Sequence, residues 1–211
     1  MAIKNIILDL GGVILNIDYN LTIKAFQSLG ISNFESLYTQ AKQEHLFDHY
    51  EAGKIHSDKF VEKLGEYLDT QQPSGKIIKA WNAMLLDLPE ERLTFLKDLR
   101  SSYNTSLLSN TNPIHIKCFH EIIKEQNGIK SLNEFFDHVH FSSDLGMRKP
   151  DPDIFKHVCD LHNYSPSETL FIDDSMQHVE GARKAGLHAF LLDTKKDDVK
   201  ELVTSLLTKL D

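Results

Sequence analysis

The sequence is poor in most features that mark a specialised class. Two cysteines, Cys118 and Cys159, stand among 211 residues. They are far apart and lack metal-ligand spacing, which excludes a disulfide framework and a thiolate zinc site and points to idle thiols in a reducing compartment. No apolar run approaches the roughly 20 residues that span a bilayer. The start, Met1-Ala2-Ile3-Lys4-Asn5, has none of the three regions of a signal peptide, so the expected location is cytoplasmic and no membrane partner is expected. Basic residues number 23 against 31 acidic ones, and no Lys/Arg cluster breaks that balance. A nucleic-acid partner, which needs a concentrated basic face, is therefore excluded. Internal repeats and low-complexity tracts are also lacking.

An ordinary hydrophobic share of 41% over 211 residues allows one domain, or one domain carrying a sizeable insertion. Ile3 to Leu8 is a short apolar run ending at Asp9-Leu10-Gly11-Gly12. Similar runs are Thr105 to Leu108, Leu170 to Ile172 and Ala189 to Leu192, with a weaker one at His138 to Phe141. Continuous apolar runs of this length fit buried parallel strands. Helical spacing covers Pro113 to Gln126, Pro152 to His162, Met176 to Ala185 and about 197 to 209, with Pro in the first turn of two and Gly186 after the third. The alternation predicts an α/β fold with a doubly wound parallel sheet. From Tyr19 to Arg100 it breaks down, and apolar stripes such as Phe60, Leu64 and Leu68 recur at helical spacing. This stretch reads as a helical insertion. The expected organisation is a core of residues 1–18 and 101–211 and a helical cap of residues 19–100.

Ligands in open α/β sheets bind beyond the carboxyl ends of the strands. Asp9 follows the first run, Ser109-Asn110 the second and Asp173-Asp174 the fourth, while Lys149 sits in the loop after the weak strand. Each alone has a bland reading as a cap, a turn or a surface lysine. Together they suit a phosphate ester. A carboxylate can attack phosphorus and split hydrolysis into two easier steps. Mg²⁺ takes oxygen ligands, and Asp173 and Asp174 can anchor it. Ser109 can donate to a phosphoryl oxygen and Lys149 can neutralise charge there, while Gly11 and Gly12 let the backbone approach closely.

These residues resemble the four motifs of the haloacid dehalogenase superfamily: Ile7-Leu8-Asp9-Leu10-Gly11-Gly12-Val13, Leu107-Leu108-Ser109-Asn110, Met147-Arg148-Lys149-Pro150 and Phe171-Ile172-Asp173-Asp174-Ser175. The match covers essentially the whole chain and is most similar to bacterial sugar phosphatases of the glucose-1-phosphatase kind. The segments Ser143 to Pro150 and His49 to Gly53 carry that finer likeness. The resemblance implies hydrolysis of a small phosphorylated metabolite, such as a sugar phosphate, through an aspartyl-phosphate on Asp9. It implies Mg²⁺ on Asp9, the Gly11 carbonyl and Asp174, with Asp173 direct or water-bridged. Ser109 and Lys149 would grip the phosphate, supported by Gly11, Gly12 and Asn110.

One departure matters. The family's usual general acid–base Asp lies two residues after the nucleophile, where this chain has Gly11. Asp18 and His49 are candidate replacements, and an anomeric leaving group would need less help. The competing readings are a catalytically weak or inactive phosphometabolite-binding relative, a metal-independent 2-haloacid dehalogenase and a phosphosugar mutase. Cap residues to examine for substrate contact are His45, His49, Glu51 and Trp81. The histidines His115, His120, His138, His140, His157 and His162 show no recognised metal-ligand pattern.

Overall fold

The computed structural model describes residues 2–43 and 45–210, with the backbone alone for residues 39–43. Five strands, β1 (Asn5–Leu8), β2 (Asn104–Ser109), β3 (His138–Phe141), β4 (Thr169–Asp173) and β5 (His188–Leu191), form one sheet in the order β3-β2-β1-β4-β5. All four pairings are parallel. The central strand β1 is buried along its whole length, which is why it reads as an unbroken apolar run.

The helices are α1 (Tyr19–Ser28), α2 (Phe34–Gln43), α3 (Leu46–Glu51), α4 (Ser57–Tyr67), α5 (Ser74–Asn82) and α6 (Glu90–Arg100) before β2. After it come α7 (Pro113–Asn127), α8 (Ser142–Leu145), α9 (Pro152–His162), α10 (Met176–Lys184) and α11 (Val199–Leu210). Side-chain alternation along the strands splits the core in two. Ile6, Leu8, Leu107 and Leu170 pack with α6, α7 and α11 on one face, and Ile7, Leu108 and Phe171 pack with α9 and α10 on the other. Fully burying each such side chain contributes about 1.5–3 kcal/mol. The result is a doubly wound α/β fold.

Helices α1 to α5 bury a separate cluster around Phe26, Phe60, Leu64 and Trp81. Helix α6 does not join it. Its Leu93, Leu96 and Leu99 lie in the cluster under the sheet. The chain enters and leaves the α1–α5 unit through a paired neck, with an Ile17–Leu85 bridge and bonds Asp18 N–H to Met84 O (2.9 Å) and Leu86 N–H to Asn16 O (3.0 Å). We therefore set the end of the cap at this neck, near residue 85, rather than at residue 100. The periodicity of α6 is helical either way, and only packing shows which core it serves.

The register brings the chemistry together. Leu8 is level with both Leu107 and Ile172, so Asp9 stands level with Asp173 and one step below Ser109. The Asp9 N–H continues the ladder to Ile172 O at 2.9–3.0 Å spacing typical of the sheet, here 3.0 Å. The sheet order reverses between β1 and β4, the crevice where open α/β sheets bind ligands.

Candidate active site

Lys149 is the centre of the site. It has no exposed surface, and its ammonium donates to Asp9 Oδ1 (2.6 Å), Asp173 Oδ2 (2.6 Å) and the Leu108 carbonyl (2.8 Å). Those three bonds use all three of its donors. Burial pulls its pKa down, but the charges of Asp9 and Asp173 outweigh that and raise it, so Lys149 remains a cation. Asp173 is equally buried, and its other oxygen accepts from Ser175 N–H (2.8 Å) and faces His178 Nδ1 (2.9 Å). Burial would raise its pKa, yet Lys149 and His178 hold it below the usual range.

Asp9 is pushed up to about 7, first by burial, with Asp173 and Asp174 adding to the shift and Lys149 opposing it. Asp174 is also raised, by burial and by its neighbour Asp173. Asp9, Asp173 and Asp174 each bring an oxygen within 4.8 Å of the others. Three carboxylates against one ammonium leave two negative charges uncompensated. An oxygen-only donor set with that imbalance fits a small divalent cation.

Glycine shapes the gap. Gly12 has φ +79°, and a β-carbon there would overlap Asp174 Oδ2, so the backbone passes directly under the carboxylate. At Gly11 the nearest obstacle to a β-carbon is Ile17 Cδ1 at 3.2 Å, a much milder restriction. Ser109 is buried and its hydroxyl makes no hydrogen bond among the described residues. Asn110 lies beside it with its side chain engaged to the backbone of Lys149 in both directions, at 2.9 Å each.

These groups open into a cleft of about 260 Å³, at the small end for ligand pockets. Asp9, Ser109, Asn110, Arg148 and Asp174 line the core side, and Tyr19, Glu51, Met84 and Leu85 come from the cap and its neck. Arg148 joins the halves. It reaches Glu51 Oε2 through Nε (3.2 Å) and Nη2 (2.8 Å), and Asp48 Oδ1 through Nη1 (3.0 Å).

The structure thus assembles Asp9, Gly11, Ser109, Asn110 and Asp174 around one cleft, with Lys149, Asp173 and Gly12 directly behind. Of the four cap residues singled out in the sequence, only Glu51 reaches the cleft. His45 is exposed and pairs with Asp48 (2.9 Å). Trp81 packs in the cap core and stacks on His115 with ring centres 5.0 Å apart. Three of the unpatterned histidines meet at the sheet edge: His140 Nε2 lies 2.8 Å from His162 Nε2, and His138 stacks on His162.

Sequence reasoning passed over Arg148, His178 and Gly181. A β-carbon at Gly181 would overlap the Pro150 carbonyl, so α10 lies against the loop that presents Lys149. A glycine inside a helix costs up to about 1 kcal/mol relative to Ala, and its presence was a readable sign of close packing. Arg148 and His178 carried no such sign.

A family model for haloacid dehalogenase-like hydrolases matches residues 3–186. A D-ribitol-5-phosphate phosphatase of Bacteroides thetaiotaomicron is 32% identical over 97% of this chain and 98% of its own length. A crystal structure of a HAD family enzyme from the same organism superposes with a TM-score of 0.88 at 32% identity, covering 96% of this chain and 99% of that one. That enzyme is also known as an aspartate-to-alanine variant with magnesium and inorganic phosphate, with a TM-score of 0.87 at 31% identity over the same shares. The chain belongs to the haloacid dehalogenase-like hydrolases, and within them to the phosphatases. The magnesium of that Bacteroides enzyme has a counterpart here in an oxygen donor set that could hold such an ion, at Asp9, Asp173 and Asp174.

Proposed function

We propose that this protein hydrolyses the phosphate monoester of a small polyhydroxylated compound, a sugar or sugar-alcohol phosphate, with Asp9 as nucleophile. The observation that carries the reading is Lys149 bridging Asp9 and Asp173 behind an unpartnered Ser109 hydroxyl, all at the floor of one cleft.

Lys149 holds Asp9 by Oδ1, which leaves the other oxygen for attack on phosphorus. The Ser109 hydroxyl and the ammonium supply hydrogen-bond donation and positive charge where phosphoryl charge develops. Asp9, Asp174 and the Gly11 carbonyl would hold Mg²⁺, which when bound screens the anionic phosphate from the attacking carboxylate. Both oxygens of Asp173 are already engaged, so its role is to position Lys149, with any metal contact through water. The cap covers the cleft and limits access of water while the ester is in place.

Glu51, Arg148 and Tyr19 give the leaving-group side a polar wall, suited to hydroxyl groups. The ribitol-phosphate activity named for the Bacteroides relative supports a five-carbon polyol phosphate as first candidate, ahead of glucose 1-phosphate. The test is a panel of phosphorylated polyols and sugars plus p-nitrophenyl phosphate, assayed with Mg²⁺ and with EDTA, for the wild type and Asp9→Asn. Release that persists in Asp9→Asn or survives EDTA would sink the mechanism. A preference for glucose 1-phosphate over every open-chain phosphate would sink the substrate assignment.

A further inference from the structure

With Gly11 at the usual acid–base position, the wall of the cleft must be asked which group can serve the ester oxygen. Asp18 is committed elsewhere: its carboxylate caps α1 by accepting from Asn20 N–H at 2.9 Å. His49 does not line the cleft. His115 does, but both ring nitrogens are in use. Nδ1 faces Asn112 Nδ2 (3.2 Å) and Nε2 faces the Trp81 carbonyl (3.3 Å). Glu51 is held by Arg148. His178 also lines the cleft, with Nδ1 tied to both oxygens of Asp173, and its Nε2 is the rival donor that the experiment below must separate.

Tyr19 is different. It opens α1 at the end of the paired neck, so its backbone is fixed by the Asp18 cap and by the Asp18–Met84 bond. The residue is 62% exposed and lines the cleft, and its hydroxyl makes no hydrogen bond among the described residues. Asp9 and Asp174 line the same cleft, and desolvation first, then the charges of those two carboxylates, favour the protonated form of the phenol. An ordinary phenol, with a pKa of about 10, already carries its proton at neutral pH.

Resting on the phosphatase reading above, we propose that Tyr19 donates its hydroxyl proton to the ester oxygen of the substrate and so replaces the missing carboxylic acid. In the first half-reaction an Asp9 oxygen bonds to phosphorus, the bond from phosphorus to the ester oxygen breaks, and the departing alkoxide takes the phenolic proton. In the second, a water oxygen bonds to phosphorus, the Asp9 acyl-phosphate bond breaks, and the water gives its proton to the phenolate. Free phosphate, the alcohol and the starting enzyme result, with no other reactant consumed. The proposal also explains why a primary alkyl phosphate can be a substrate without an Asp at position 11, since an alkoxide is a poor leaving group unless protonated.

The experiment compares Tyr19→Phe with the wild type on two substrates with Mg²⁺ present: p-nitrophenyl phosphate, whose leaving group departs without a proton, and an open-chain polyol phosphate. The expected result is that the ratio of alkyl to aryl kcat/KM falls on the order of 10²-fold. Because the phenol keeps its proton at ordinary assay pH, that loss should be the same at every pH below about 10. Equal losses on both substrates would show a positioning or folding role and overturn the inference. So would an unchanged ratio, or a selective loss in His178→Gln in place of Tyr19→Phe. Wild-type silence on p-nitrophenyl phosphate would instead sink the phosphatase reading, and this inference with it.

Discussion

Asn110 holds Lys149 by its backbone rather than its side chain. Asn110 Nδ2 donates to the Lys149 carbonyl and the Lys149 N–H donates to Asn110 Oδ1, both at 2.9 Å. The pair joins the end of β2 to the loop after β3, and it fixes where the buried ammonium enters the site. Asn110→Ala removes both bonds while leaving every charged group in place. Steady-state kinetics should show kcat reduced by about 10²-fold, the size of effect expected when a catalytic group shifts by about 1 Å. KM should change little. Asn110→Asp, which can accept but not donate, should fall between the two. An Asn110→Ala enzyme with wild-type kcat would show that Lys149 is held by its carboxylate partners alone.

The two glycines after Asp9 make opposite predictions. Gly12→Ala forces a β-carbon into Asp174 at a positive φ, so metal-dependent turnover should fall by at least about 10²-fold, with weaker Mg²⁺ binding by calorimetry. Gly11→Ala meets only the end of a flexible Ile17 side chain. Its fold and Mg²⁺ affinity should stay near wild type, with less than about a tenfold loss of rate. Equal damage from both would mean that the clash with Asp174 is not what position 12 avoids.

Arg148 ties the core to the cap through Glu51 and Asp48. All three are partly exposed, so the pairs contribute at most about 1 kcal/mol each. Arg148→Met should therefore raise KM about five- to tenfold and leave the melting temperature nearly unchanged. Amide exchange over residues 46–53 should quicken. Unaltered exchange in that segment would show that the cap is held in place by the Trp81–His115 contact instead.

Acid should weaken the contribution of the buried histidines, in the opposite direction to Asp9, whose pKa of about 7 makes the folded state the stronger proton binder below neutrality. Burial lowers the His115 pKa to about 4, and burial together with His162, His138 and His157 lowers that of His140 to about 4. In the unfolded chain both take up a proton near 6.5. Between those values the unfolded state binds more protons at these two positions, so their contribution to stability is full above about pH 6.5 and declines as pH falls toward 4. At pH 5 His115 alone should cost roughly 2 kcal/mol, and the half-exposed His140 less. Urea unfolding of the wild type and His115→Gln, each at about pH 7.5 and pH 5, isolates that loss by difference. His115→Gln should flatten that pH dependence, and a variant with the same slope as wild type would place the acid sensitivity elsewhere.

Much of this was legible because strand ends are legible. Asp9, Ser109 and Asp173-Asp174 each follow a short, largely apolar run of the kind that fits a buried parallel strand. The sheet then places them together by register. Lys149 was readable only through its motif, as nothing in a Met-Arg-Lys-Pro loop announces a lysine with no exposed surface. The end of the cap, which we place at the neck, is not legible in the sequence because α6 has the same periodicity whether it packs on α1–α5 or under the sheet. Trp81, an inviting substrate contact in a linear reading, fills the cap core and backs onto His115.

The sequence by itself determined the order of the elements, the Asp that closes the first strand, and the absence of a second Asp two residues on. Those follow from local patterns and single residue types, which need no partner to be read. Tertiary structure decided which polar groups are already satisfied and which still face the cleft. Asp18, His115 and Glu51 are engaged by neighbours up to tens of residues away, while the hydroxyls of Ser109 and Tyr19 make no hydrogen bond among the described residues. A hydrogen bond is a property of two positions in space, and for chain segments this far apart only the packed fold sets that distance.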